Sequence, residues 1–300
     1  MCKIVFFNTL LSIAKILVKS RWISLVKAKN VEALYIVGNG PSALPFLAMA
    51  QTKTTPMPLF CVNKFAISPE FHTLKPHYYL LLDADFFLFS EAVFQDPSKH
   101  PRVQLKPEFA VYQDQINRTW NAILGHTWAM TLFIPRTYKN TYVVALAIKQ
   151  NIHIQFFNYT VTQGFDWFKN KIYALGLGMP QSQNVIHATL FLAIQMGVKN
   201  IYITGIDHDF HRNLILDDSN TLFEEVSHFY HKEPFKHKLI HAHGNGESVR
   251  LKDVFYNLHK VHVGYQELHR FAKHCKCQIF NITPGGFVDE FPRVSTNTIA

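Results

Sequence analysis

Residues 35–44, YIVGNGPSAL, run from an apolar stretch through a Gly-rich turn into residues that start a helix. That order builds a phosphate cradle: glycines admit a ligand close to the backbone, and a helix N-terminus favours an anion. Neither G-x-G-x-x-G nor a Walker loop is present. The turn therefore points to a nucleotide site of another kind, with Ser42 as the N-cap of the helix SALPFLAMAQ.

Working outward, ALYIVG, PLFCVN and HYYLLLDAD are strand candidates, apolar throughout rather than alternating, as for strands covered on both faces of a parallel sheet. FFLFSEAVF follows as a helical stretch. NVIHATLFLAIQMG reads as an apolar helix stopped by Gly197, and VKNIYITGIDHDF as a strand entering a polar turn. Val254, Leu258, Val261, Tyr265, Leu268, Phe271 and Cys275 recur at three and four residues and predict a helix over 251–275. CQIFNITPGG closes as a strand and turn. Between about 95 and 180 the pattern predicts irregular structure with some strands and a lid. No repeat or linker interrupts the chain. The expectation is one α/β, Rossmann-like domain over 31–300 with a mostly parallel sheet, preceded by a basic amphipathic helix over 1–30.

A hydrophobic content of 48% with only 17% charged residues supplies a full core and excludes a disordered chain. The formal charge of +9 suits anionic partners: a phosphorylated substrate, an anionic membrane or nucleic acid. Cys2, Cys61, Cys275 and Cys277 form no C-x-x-C pair, which argues for a reducing compartment and against a disulfide or zinc framework. The first 29 residues carry Lys3, Lys15, Lys19, Arg21, Lys27 and Lys29 with no acid before Glu32. Their apolar runs are too short to span a bilayer, but the segment suits an anionic membrane surface. Packing against the domain behind it is the other reading.

In an open α/β sheet the ligand sits at the carboxyl ends of the strands. Those ends present Gly38, Asn39, Gly40 and Ser42, then Asn63, then Asp83 and Asp85, then Gly205, Asp207, His208 and Asp209, then Asn281 and Thr283. Asn39 and Asn63 offer donors and acceptors for a base or ribose. Gly38 and Gly40 are expected to let the ligand approach. Asp83-x-Asp85 and Asp207-x-Asp209 match the D-x-D of metal-dependent sugar transfer, a spacing any acidic turn also matches. Asp85 also fits a helix N-cap. The histidines between 208 and 243 lack zinc-like spacing, and free imidazoles suit general-base work. SHFYHKEPFKHK reads as a phosphate-binding, base-supplying loop.

The series IVGNGPS, CVNKF, DADFF, LFLAIQMGVKNIYITGID and SHFYHK resembles the bacterial sialyltransferases of glycosyltransferase family 42. KPHYYLLLDADFF, GIDHDF, HFY and IFNITPGGFVDEF resemble the related MptE-like proteins, which overlap the motility-associated-factor glycosyltransferases. The resemblance covers about residues 33–292. It implies a GT-A-like sialyltransferase variant of the Rossmann-like fold that binds a CMP-activated sugar, with Asn39 and Asn63 on the nucleotide and Asp83 near a third family asparagine. It implies His228 or His231 as the base that deprotonates an acceptor hydroxyl for inverting attack, with no metal or other cofactor required. Gly38, Gly40, Ser42, Asn184, Gly205 and Asp207 complete the expected nucleotide site. His208, His211 and Tyr230 are expected phosphate or sugar contacts, and Asp83 and Asp85 are the ligands if a metal is used. The family's T-S-G is Asn184-Val185-Ile186 here, and its tyrosines after G-I-D are replaced by His208, Phe210 and His211. These departures weigh against sialic acid more than against a Kdo-type or related nonulosonate donor.

The expected function is a cytoplasmic glycosyltransferase of surface-polysaccharide or lipooligosaccharide assembly, with a glycan or glycolipid acceptor and a peripheral membrane contact through residues 1–29. The alternatives are an MptE-like ATP/Mg-dependent pterin diphosphokinase, for which the sequence shows no Lys/Arg clamp or P-loop, and a non-enzymatic nucleotide- or RNA-binding protein, for which it shows no aromatic-basic signature.

Overall fold

The computed structural model describes residues 2–28, 31–105, 109–226, 229, 235–239 and 248–296. The strands are β1 (Ala33–Val37), β2 (Leu59–Val62), β3 (Tyr78–Leu80), β4 (Thr131–Pro135), β5 (His153–Phe157), β6 (Asn200–Thr204), β7 (Leu214–Leu216), β8 (Leu222–Val226), β9 (Phe235–Lys238) and β10 (Gln278–Asn281). The helices are α1 (Cys2–Lys19), α2 (Leu44–Thr52), α3 (Glu70–Leu74), α4 (Glu91–Gln95), α5 (Pro101–Leu105), α6 (Ala110–Leu124), α7 (Tyr142–Lys149), α8 (Asp166–Ala174), α9 (Val185–Gln195) and α10 (Leu251–His274).

Seven strands form one sheet in the order β10-β6-β1-β2-β3-β4-β5, and every pairing in it is parallel. Successive strand residues feed opposite cores. Leu34, Ile36, Phe60 and Val62 face α9 and α10, while Tyr35, Val37, Leu59 and Cys61 face the side of α2, α3, α6 and α7. Both faces are therefore dry, which is why these strands read as unbroken apolar runs. α9 is buried from Ile186 through Ile194 and packs against β1, β2 and α10. The result is the expected α/β, Rossmann-like arrangement.

Four stretches differ from expectation. Among the described residues of 95–180, helices and strands prevail over irregular structure: TLFIP is a fully buried strand that extends the sheet, and α6 buries Ile116, Trp120 and Ile123 on one stripe. The helix expected after β3 is broken into a 3-10 turn, Ala84–Phe87, and α4, whose cap is Ser90 rather than Asp85. The Ser90 Oγ accepts from Val93 N at 3.4 Å, while Asp85 is drawn off into an ion pair. The His-rich region contributes β8 and β9, which with β7 form a three-stranded antiparallel sheet. Finally, α1 stops at Lys19. Residues 20–28 run on without regular structure, tied down through Arg21 N to Asn158 Oδ1 (3.1 Å), Val26 N to Gln155 Oε1 (3.0 Å) and Ala28 N to Met196 O (3.0 Å).

Candidate functional site

From β1 the chain winds outward through β2, β3, β4 and β5, then returns to place β6 on the other side of β1. This reversal is the switch point at which an open α/β sheet leaves a crevice beyond its strand ends. A cleft of about 230 Å³ opens there, lined from the β1 turn, the β6 turn, the start of α9 and strand β8. Size does not single it out: a depression of about 420 Å³ lies beside Leu59, His77 and Ala129, but it is at the amino edge of the sheet.

The two turns interlock. Gly38 N donates to Thr204 O (2.8 Å) and Gly40 N to Gly205 O (2.9 Å). A Cβ on Gly38 would stand 2.3 Å from Gly205 O, and one on Gly205, at φ +68°, would stand 2.6 Å from Gly38 O. A Cβ on Gly40 would fall on the Asp207 carboxylate. These glycines are thus required for one strand end to reach the other, where the sequence reading had them making room for a ligand. Ser42 lies in a 3-10 turn, Pro41–Ala43, and does not cap α2; its hydroxyl and N–H face the Asp207 carboxyl.

Among the described residues, Asn39 Oδ1 is buried at this turn without a hydrogen-bond partner, and the buried Ser42 Oγ and Asp207 Oδ2 have only each other. The Asn39 carbonyl accepts from Phe229 N at 3.2 Å, and its Nδ2 makes only a long contact of 3.4 Å to Val62 O. Burial raises the Asp207 carboxyl above the usual range, with the Ser42 donors acting the other way. Unpaired buried groups are costly and uncommon, so each calls for an explanation, and a ligand is one.

His208 sits at φ +49°, a strained conformation for a side-chain-bearing residue. Its Nε2 is 2.7 Å from the Tyr265 hydroxyl and 3.3 Å from Asn184 Nδ2. Burial pushes the imidazole pKa down to about 4, so at neutral pH the ring is uncharged. His208 lines the cleft but ties β6 to α10 and does not supply a positive charge to a phosphate. Asn184 caps α9, accepting from His187 N at 3.0 Å, so the N-terminus of α9 opens on the cleft. His211 packs edge-on against Phe287.

Glu224 and Glu225, on β8, form the far wall with Asp209. Desolvation, reinforced by Asp209, raises Glu224 to about 6. Among the described residues the lining holds four carboxylates and no Lys or Arg. The sequence reading missed Glu224 and Glu225, because it assigned no strand before the loop that starts at Ser227, and Tyr265, which had counted only as a helix stripe.

Asn63, also lining the cleft, sits at φ +46° and spends its side chain inside the protein. Its Oδ1 accepts from Leu82 N (3.2 Å) and its Nδ2 donates to Asp83 Oδ2 (3.0 Å). Asp83 therefore joins a separate cluster beyond β3. Arg102 Nε stands 2.7 Å from Asp85 Oδ1, and Lys64 Nζ donates to Gln115 Oε1 (2.7 Å) over the Tyr112 ring. Desolvation lowers Lys64 to about 7 against the pull of Asp83 and Asp85. Asp83 is open to solvent on one side and hemmed in by protein on the other, and desolvation raises its carboxyl. The sequence showed no basic clamp; the fold brings Lys64 and Arg102 to these carboxylates. Lys64 was legible beside Asn63, but nothing in the sequence marked Arg102.

His228, His231 and Tyr230 lie outside the described residues. Among the described residues, the three groups close enough together to share a metal are His262, Asp289 and Glu290, none of which lines the cleft.

No family model and no curated protein matches the sequence. Among solved structures, the chain is similar to the MAf glycosyltransferase from Magnetospirillum magneticum AMB-1, with a TM-score of 0.47 and 9% identity over 99% of this chain. The chain spans 39% of that protein's length.

Proposed function

We propose that the cleft binds a CMP-activated sugar and that the chain is an inverting glycosyltransferase. The acceptor is a glycan or glycolipid of bacterial surface-polysaccharide or lipooligosaccharide assembly, and a glycolipid acceptor would bring the enzyme to the inner face of the cytoplasmic membrane. The observation that carries this reading is Asn39 Oδ1, buried with no partner among the described residues, beside the Ser42–Asp207 pair at a switch-point crevice that also meets the N-terminus of α9. Asn39 Oδ1 is suited to accept from the base or ribose, Asp207 to accept from a hydroxyl, and the α9 N-terminus to hold the phosphate. The sequence resemblance to the family 42 sialyltransferases supplies the nucleotide and the sugar class: sialic acid, Kdo or a related nonulosonate.

The acceptor oxygen attacks the anomeric carbon, the bond to the CMP phosphate breaks, and the hydroxyl proton passes to His228 or His231. Glu224, raised to about 6 and so mostly ionised at neutral pH, is a second acceptor for that proton. No metal is required in this scheme.

The acidic lining supports a monophosphate leaving group over the triphosphate of the diphosphokinase reading, since repulsion grows with each added charge. Asp85 is already paired with Arg102, which weakens it as a metal ligand. The same carboxylates disfavour an RNA backbone.

Thermal-shift measurements with CMP, CDP, UDP, GDP and ATP, each with and without Mg²⁺, test the reading. The expected result is a metal-independent shift with CMP. A shift with ATP and Mg²⁺ alone would replace it with the diphosphokinase, and no shift with any nucleotide would remove the nucleotide site.

A further inference from the structure

A helix packed on a globular domain ordinarily turns its apolar stripe inward. α1 turns most of its apolar side chains outward. The face it docks centres on two small polar residues: Thr9 and Ser12 are 7% and 2% exposed, with Val5 and Ile16 half-buried beside them. Ser12 Oγ donates to Gln163 O (2.8 Å), while Thr9 Oγ1 accepts from Phe165 N (3.2 Å). Gly164, at φ +134°, leaves the space that Thr9 fills. At the far end Ser20 Oγ bonds Thr160 Oγ1 (2.9 Å) and Arg136 Nη2 donates to Lys19 O (2.8 Å). These specific bonds fix which side of the helix faces out.

The outward side is the apolar one. Phe7, Leu17 and Val18 are 59%, 75% and 72% exposed, Phe6 and Leu10 lie on the same half of the helix, and Trp22 follows at 75%. Lys15 and Lys19 border this arc at helical spacing, Lys3 falls within it, Arg21 follows the helix, and no carboxylate precedes Glu32. A second copy docked on this face by two-fold symmetry would bring identical basic groups together. An anionic headgroup layer would neutralise them while the apolar side chains enter the acyl boundary. Among the described residues no helix is long and apolar enough to cross a membrane, so an in-plane arrangement is the one α1 fits.

We infer that α1 is a rigidly docked interfacial helix whose outer face enters an anionic bilayer surface. It rests on residues 158–165, just past the carboxyl end of β5, and so on the edge of the sheet where the cleft also opens. The inference goes beyond the transfer reading and does not depend on it.

The test is co-sedimentation of the full chain with vesicles of phosphatidylcholine alone or mixed with phosphatidylglycerol. Binding is expected to the mixed vesicles, to weaken with salt, and to be slight on phosphatidylcholine. Phe7→Asp with Leu17→Asp should abolish it while leaving the melting temperature and any nucleotide-induced shift unchanged, because neither side chain is buried against the domain. Lys15→Glu with Lys19→Glu should weaken it by on the order of tenfold. Undiminished binding by either variant would overturn the inference. So would absence of binding by the wild-type chain, and a concentration-dependent dimer dissolved by the Asp variant would assign the face to a second copy instead.

Discussion

The chain carries two D-x-D turns, each beyond a strand of the same sheet, and they meet opposite fates. Beyond β3, Asp83 accepts from Asn63 at 3.0 Å and Asp85 faces Arg102 at 2.7 Å, with Lys64 alongside. Beyond β6, Asp207 meets the Ser42 donors rather than a cation, and Asp209 shares its surroundings with Glu224. Identical spacing thus gives a closed ion network in one corner and an open acidic cleft in the other. What separates them is topology: β3 has its next strand in sequence beside it, whereas the chain leaves β1 and β6 toward opposite faces of the sheet at the switch point. Answered polar groups hold a fold together, and unanswered ones await a ligand.

The largest effect on stability that would sharpen this contrast is expected from Asp85→Ala. It strips Arg102 of its buried partner, and a loss of about 2–3 kcal/mol is expected by urea unfolding. Asp207→Ala removes a carboxyl that faces no cation and strips only the Ser42 donors of their acceptor, so its stability should stay within about 1 kcal/mol of wild type. The opposite ranking would break the contrast outright.

Asn63→Ala comes next, at about 2 kcal/mol. It deletes the bonds to Leu82 N and Asp83 and leaves alanine at φ +46°. Asn63→Gly loses the same bonds but tolerates that backbone, so it should recover about 1 kcal/mol in the same unfolding experiment. Equal losses in the two variants would show that the backbone at Asn63 is unstrained.

The contrast also shows how far the sequence could be read. The strands were legible because both their faces are buried, and the cleft because Gly38, Asn39 and Gly205 stand at strand ends. Neighbours were not. Nothing local distinguishes Asn39, with an unused oxygen, from Asn63, whose amide is consumed by β3. Arg102 reaches Asp85 from a stretch that looked irregular, and Glu224 reaches the cleft only because β8 pairs with β7 and β9. α1 was expected to be amphipathic, but its residues did not reveal that Thr9 and Ser12, rather than the leucines, face the domain.

Glu224 gives a pH signature that belongs to the open corner. Its folded pKa is raised to about 6, above the unfolded value near 4.5. Above pH 6 the folded state therefore carries an unfavourable carboxylate. As pH falls from 6 toward 4.5 the folded state takes up its proton first, and stability should rise relative to Glu224→Gln by at most about 2 kcal/mol. His187 and His208, lowered to about 3 and 4 by burial, act the other way by keeping the folded state from protonating below pH 6.5. Both variants retain these histidines, so the difference between their unfolding curves across pH isolates Glu224. A flat difference would mean that Glu224 titrates as an ordinary surface carboxylate.

Asn39→Ala is expected to change stability least, and so bears most directly on function. The side chain makes one long bond, 3.4 Å to Val62 O, and buries an oxygen with no partner. Removing it should therefore cost under about 1 kcal/mol, well short of Asn63→Ala. If the oxygen is held for a nucleotide, the CMP-induced thermal shift should vanish in this nearly unperturbed protein. Loss of the shift with full stability separates a binding role from a structural one, which Asn63 cannot do because its two roles fail together. A full CMP shift in Asn39→Ala would leave the unpartnered oxygen without a ligand and reduce the two corners to one kind.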